Sequence, residues 1–186
     1  MHILIFEGIA TSGKSTLIEQ LKNSLNDKQV TVVDEDETHV PIMNETDSTH
    51  IDFFTNLVQQ KTSVDSDVVI FDRLYLTQAY RAKVGLTPYE GLERLLLPLQ
   101  PLTVFLKVEN EAIAERVLKA SQHRDDTWKD YIWTKGKTVE QIAQYYIDQQ
   151  TSQLELLKFS IIPYRIFDTT EHTYAEITQQ LVDLVA

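Results

Sequence analysis

The chain has 186 residues, 17 of them basic and 28 acidic, for a formal charge of -11, with 42% hydrophobic residues and no cysteine. Without cysteine there is no disulfide scaffold, no thiolate-ligated zinc or iron–sulfur centre and no thiol nucleophile. The excess of acid argues against non-specific attachment to nucleic acid or anionic membrane, where Lys and Arg supply most of the affinity. In chain order, apolar runs alternate with helical patterns. His2 to Phe6 is an apolar strand with no basic leader or cleavage site ahead of it, so the protein is expected in the cytoplasm. Lys14 to Asn26 is helical, with Leu17, Leu21 and Leu25 at four-residue steps. Gln29 to Val33 is a second strand, closed by the acidic run Asp34-Glu35-Asp36-Glu37, whose plain reading is a solvated loop. Helices are expected at His50 to Lys61, Leu74 to Lys83 and Tyr89 to Leu97, around a third strand from Asp67 to Phe71. Leu102 to Lys107 is a fourth strand and Glu111 to Ala120 a helix; Ser121 to Lys137 is polar and aperiodic and reads as a mobile segment. A helix from Val139 to Phe159, a strand from Tyr164 to Phe167 and a helix from Tyr174 to Val185 complete the series. This alternation predicts an α/β fold: one domain over residues 1–186, a five-stranded parallel sheet with helices on both faces. Such sheets bind ligands beyond the carboxyl ends of their strands. The apolar runs fall far short of the roughly 20 residues that span a bilayer.

Gly8-Ile9-Ala10-Thr11-Ser12-Gly13-Lys14-Ser15 fits G-x-x-x-x-G-K-[ST] between an apolar strand and an amphipathic helix, the context this phosphate-binding loop requires. Gly8 and Gly13 let the backbone curl so that successive N–H groups face phosphate oxygens, with the positive end of the following helix behind them. Lys14 supplies a charge for the β- and γ-phosphates, and the Ser15 hydroxyl is the expected Mg²⁺ ligand. ATP and Mg²⁺ are therefore the expected cofactors. Ile9, Ala10, Thr11 and Ser12 carry no charge, so charge developing in a transition state must be met from elsewhere.

The third strand ends in Asp72-Arg73. A carboxylate at that point can hold the magnesium directly or through water, and Arg73 can fork two phosphate oxygens. No Asn-Lys-x-Asp or Asp-x-x-Gly element of a GTPase is present. These features point to a small phosphotransferase with a small-molecule acceptor.

Taken together, the residues resemble the thymidylate kinase group of P-loop nucleoside monophosphate kinases and, more distantly, the deoxynucleoside kinases. Phe6-Glu7-Gly8 leading to Gly13-Lys14-Ser15-Thr16 is similar to the family's opening. Asp72-Arg73 followed by Leu76-Thr77-Gln78-Ala79-Tyr80 is similar to its acceptor-pocket segment. Pro101 to Leu106 and Ala114-Glu115-Arg116-Val117 match further elements in the same order. The resemblance implies a three-layer P-loop kinase fold with a lid after strand four, around 117–137. It implies nucleotide contacts along Gly8 to Thr16, with Thr169 and Thr170 packing against adenine. Arg116 and Arg124 become lid candidates for stabilising the transferred phosphoryl group, and Phe53, Phe54, Arg73 and Tyr80 candidates for the acceptor. A homodimer is also implied.

Where thymidylate kinases carry an Arg-Glu-Pro element, Val33 to Pro41 contains no arginine, and Leu57 stands where the family's base-reading arginine falls. The end of strand two is also where deoxynucleoside kinases carry the base that takes the 5′-hydroxyl proton. Glu35 fits that role, with Asp34, Asp36 or Glu37 as substitutes. The acids favour a neutral hydroxyl acceptor, and the Asp72-Arg73 segment favours a monophosphate. The expected activity is thus transfer of the γ-phosphoryl group of Mg-ATP to a nucleotide or nucleoside. A kinase for another hydroxyl compound, and a silent ATP-binding regulatory module, stay open beside it.

Overall fold

In the computed structural model, which describes residues 1–45, 48–124 and 126–185, the apolar runs become strands β1 (His2–Glu7), β2 (Val30–Val33), β3 (Val68–Asp72), β4 (Pro101–Lys107) and β5 (Tyr164–Asp168). They form one sheet in the order β2-β3-β1-β4-β5, with every ladder parallel. The helices are α1 (Lys14–Ser24), α2 (Glu35–Thr38), α3 (Ile51–Thr62), α4 (Leu76–Arg81), α5 (Glu90–Leu96), α6 (Asn110–His123), α7 (Asp126–Trp133), α8 (Val139–Leu157) and α9 (Tyr174–Val185). None among the described residues is long and apolar enough to cross a membrane.

Side chains alternate across a strand, and Ile3 to Phe6 of β1 and Val68 to Phe71 of β3 are apolar without a break because both faces of the sheet are covered. On one face Ile3, Ile5 and Phe71 pack with Phe54, Val58, Leu76 and Leu92 from α3, α4 and α5. On the other, Leu4, Phe6 and Ile70 pack with Leu17 and Leu21 of α1 and Ile177 and Leu181 of α9. A third cluster joins Ile9 to Val108, Ile113, Ile132, Ile142 and Tyr146, tying the glycine-rich loop to α6, α7 and α8.

Three local expectations change. The acidic run is not a loop: Asp34 caps α2, its carboxylate accepting the Asp36 and Glu37 N–H groups at 3.0 and 3.3 Å. The stretch from Ser121 to Lys137, aperiodic in sequence, carries helix: α6 continues to His123 and α7 follows. Its aromatic interruptions are the reason: Ile132 is buried, and Trp128 and Tyr131 pack against the third cluster. Finally, α3 turns Phe54 into the core. The Phe54, Leu57, Val58 spacing faces the sheet, leaving Phe54 fully buried near Tyr89, with a ring separation of 6.5 Å. Phe53 meets Phe54 edge-on at 5.4 Å and is packed against the same cluster. Phe54→Ala should therefore cost about 3–5 kcal/mol of stability in a denaturant titration. A stability close to that of the native chain, with only ligand binding impaired, would contradict this placement.

Candidate functional site

The loop between β1 and α1 needs its two glycines. Gly8 and Gly13 adopt φ values of 137° and 92°, where side chains are strained. A Cβ on Gly8 would also stand 2.5 Å from the Leu106 carbonyl oxygen, and one on Gly13 2.0 Å from the Tyr174 hydroxyl. Ile9, fully buried, anchors the loop to the core. Lys14 Nζ donates to the Gly8 and Ile9 carbonyls at 3.3 and 3.1 Å. Burial, then the charge of Arg73, lowers the Lys14 ammonium to about 8, against the support of Asp72, Glu35 and Glu7. Among the buried oxygens without a hydrogen-bond partner are Thr11 Oγ1, Ser12 Oγ and Asp72 Oδ1. Buried polar atoms are rarely left so, and their grouping around one loop marks a place for a polar ligand.

β3 ends beside this loop. Asp72 lies opposite Phe6 in the sheet, and Arg73 turns the chain with φ 66° while its N–H donates to the Phe6 carbonyl at 2.9 Å. Buried Glu7 holds the turn: Oε1 accepts the Leu74 and Leu76 N–H groups, both at 3.1 Å, and Oε2 accepts the Thr77 hydroxyl at 3.1 Å. Burial raises the Glu7 carboxyl, opposed by the Leu74 N–H and by Arg73. Burial likewise raises Asp72, with Lys14 opposing and Glu35 adding to the rise.

α2 settles which acid of Asp34 to Glu37 faces the site. Thr38 Oγ1 donates to the Asp72 carbonyl at 2.7 Å, pinning α2 to the end of β3. Glu35 then pairs with Arg73 Nε, while Glu37 pairs with Lys61 and Asp34 is occupied as the cap. Burial would raise the Glu35 carboxyl, but Arg73 and then Lys14 outweigh it and hold it at about 2. Arg73 is raised in turn: its burial opposes the charge, and Glu35 overrides that. His39 is lowered to about 3 by burial and by Arg73 and Arg81, so it is neutral at ordinary pH.

Lys14, Glu35, His39, Arg73 and Arg81 line one cavity of about 940 Å³, together with Arg116, Arg124, Thr169 and Thr170. Arg116 is held at the far end, Nη1 and Nη2 donating to Thr169 Oγ1 and its carbonyl, both at 2.7 Å. The Arg124 guanidinium lies 5.9 Å from the Trp128 ring centre. Ala10, Thr11, Gly13, Ser15 and Thr16 also reach the cavity wall. Phe53 and Phe54 do not, for the packing reason given above. Tyr80 stands edge-on to Tyr145 at 6.2 Å, and Tyr145 is the ring on the wall.

A second cleft, about 530 Å³, opens beside Ser15, Asp34, Glu35, Asp36 and Asp72. The oxygen donors there, above all the unpartnered Asp72 Oδ1, suit a hard cation. No group of three or more His, Cys, Asp or Glu among the described residues is arranged as a metal site. Ser15 and Asp72 suit an ion such as Mg²⁺, which takes few protein ligands and completes its shell with water and phosphate.

Sequence reasoning missed Glu7 as the clamp of the Arg73 turn, and Arg81, His39, Met43, Tyr145, Tyr146 and Gln149 as cavity wall. Glu7 carried a signal, an acid at the end of an otherwise apolar strand. Arg81, Tyr145, Tyr146 and Gln149 sit on helices, and His39 and Met43 in the segment after α2, whose packing partners no local pattern reveals.

No protein-family model and no curated protein matches the sequence. Solved structures do match. The YorR protein of Bacillus subtilis, in complex with phosphorylated GDP, superposes with a TM-score of 0.64 at 18% identity, over 98% of this chain and 95% of that one. Polyphosphate kinase 2 from Arthrobacter aurescens TC1 gives 0.64 at 16% identity, over 99% and 67%. Thymidylate kinase from Candida albicans gives 0.53 at 19% identity, over 98% and 90%. The fold is that of the P-loop kinases, as the sequence motifs anticipate, and at these identities the likeness is one of fold.

The lowered Lys14 ammonium is directly measurable. In protein labelled with ¹³C at lysine Cε, one resonance should titrate near pH 8 and vanish in Lys14→Arg. Asp72→Asn should move that midpoint lower still, because the Asp72 charge supports the ammonium. Absence of any lysine midpoint below about 9.5 would contradict the described environment.

Proposed function

We propose that this protein is a phosphotransferase that moves the γ-phosphoryl group of Mg-ATP to a nucleotide or nucleoside. The observation that carries the reading is one cavity shared by a glycine-rich loop with buried Lys14 and by the Glu35–Arg73 pair at the end of β3. The first is a triphosphate cradle; the second is equipment for an acceptor.

Lys14 and the loop N–H groups hold the phosphates of the donor, and Thr169 and Thr170 flank its base with Arg116. Ser15 and Asp72 are the residues that would hold Mg²⁺. Bound there, the ion supplies neutralisation of charge on the β- and γ-phosphate oxygens. Arg73 orients the acceptor against the γ-phosphate, and Arg124, next to α7, adds charge as the segment around 117–137 closes and excludes water. Phosphoryl transfer asks for little covalent help, so positioning and electrostatics carry the rate.

The Glu35–Arg73 pair favours a hydroxyl acceptor over a monophosphate. Arg73 is already neutralised, and a second anion brought to Glu35 meets a carboxylate that stays ionised down to about 2. Glu35 in this reading accepts a hydrogen bond from the attacking hydroxyl and aligns it. The low value makes it a weak general base, adequate where the transition state is loose. A nucleoside fits this reading, and so does another alcohol.

The test is transfer from γ-labelled ATP to a panel of nucleosides, nucleoside monophosphates and unrelated alcohols. Stimulation by nucleosides or monophosphates, abolished in Lys14→Met with the fold intact, is the expected result. Turnover raised by no nucleobase compound would overturn the acceptor class. ATP binding with no stimulation by any acceptor would overturn the phosphotransferase reading itself.

A further inference from the structure

Among the described residues Arg73 has two side-chain partners of different character. Glu35 faces the cavity, with 41% of its side chain exposed, and is in position to turn toward an incoming acceptor. The other partner, Thr77, is buried and fixed: its hydroxyl accepts from Arg73 Nη1 at 3.1 Å and from Gln153 Nε2 at 3.0 Å, and donates to Glu7 Oε2 at 3.1 Å. A hydroxyl has one proton and two lone pairs, so this set saturates Thr77. Its direction follows from its members. An arginine can only donate, so Thr77 meets Arg73 with a lone pair, and its proton goes to Glu7 Oε2. Gln153 Nε2 is the second donor to that hydroxyl, and its Oε1 is buried without a partner among the described residues.

The same Glu7 carboxylate holds the Leu74 and Leu76 N–H groups, and the next residue in the chain is Gly8. One buried acid therefore links the base of the phosphate loop to the turn that carries Arg73 at φ 66°. A non-glycine residue keeps such a φ only where its surroundings over-determine it.

We propose that Thr77 is a positioning residue for Arg73, with Glu7 fixing the direction of its hydroxyl, and that the pair governs phosphoryl transfer rather than ATP affinity. The proposal rests on the phosphotransferase reading for its kinetic consequence and not for its structural one. Thr77→Val, nearly isosteric, leaves Arg73 without its buried acceptor. It should lower kcat about tenfold with KM for ATP little changed, and Thr77→Ser, which restores the hydroxyl, should recover most of the loss. Glu7→Gln keeps an oxygen for Leu74 and Leu76 but sets a donor against Thr77. Its loss should be smaller than that of Thr77→Val, since Gln153 can turn its oxygen to Thr77, and in the Thr77→Val background it should add less than it costs alone.

Independently of turnover, the Arg73 Nη–H groups should give resolved, slowly exchanging ¹⁵N–¹H resonances in the native chain and in Thr77→Ser, averaged in Thr77→Val. Resolved resonances in Thr77→Val, or Thr77→Ser falling as far as Thr77→Val, would overturn the proposal. So would losses that multiply between Glu7→Gln and Thr77→Val. A native chain that transfers nothing overturns the functional reading instead, and the resonances still decide this one.

Discussion

The register that sets Phe6 opposite Asp72 decides where the chemistry can be. Because β1 and β3 are parallel neighbours, both chains leave the sheet at the same end and level. One leaves as the glycine-rich loop, the other as the Arg73 turn, and the Arg73 N–H to Phe6 carbonyl bond fastens them together. A slip of one residue would invert every side chain of β3, moving Ile70 and Phe71 out of their respective core layers and carrying Asp72 away from Lys14. The apolar layers on both faces of the sheet therefore hold the site in place.

Within that frame, charge is concentrated against the trend of the molecule. A chain of net charge -11 gathers Lys14, Arg73, Arg81, Arg116, Lys119 and Arg124 around one cavity. The acids that accompany them differ in what they hold. Glu7 clamps the turn, Glu35 pairs with Arg73, and Asp72 is left with an oxygen to spare. Burial lowers Lys14 and raises Asp72, both toward neutrality, while Glu35 is driven the other way by two cations. Neighbouring carboxyl groups separated in this way mark sites of function more often than surface pairs do.

The strands and the phosphate loop were legible in the sequence because each leaves a local mark: apolar runs bounded by polar residues, and glycines spaced for a turn before a helix. Long-range packing leaves no such mark. Phe54 looks the same whether it faces a ligand or Tyr89, and only the sheet decides. The stretch from Ser121 to Lys137 hid α7, since its helical face is made of Trp128, Tyr131 and Ile132 among charges and needs the third cluster to stabilise it. The resemblance favoured Glu35 among the acids from Asp34 to Glu37, with the other three as substitutes. Thr38 separated them, by a bond to the Asp72 carbonyl that spans 34 positions.

Arg73, held in a left-handed turn beside the glycine-rich loop, is the residue we propose to act on the transferred group. Glycine accepts that turn without strain, so Arg73→Gly removes the guanidinium and spares the backbone. Measured side by side, ATP affinity should stay close to that of the native chain, while transfer to the best acceptor falls by about 10² to 10³. Transfer at the native rate in Arg73→Gly would contradict the account.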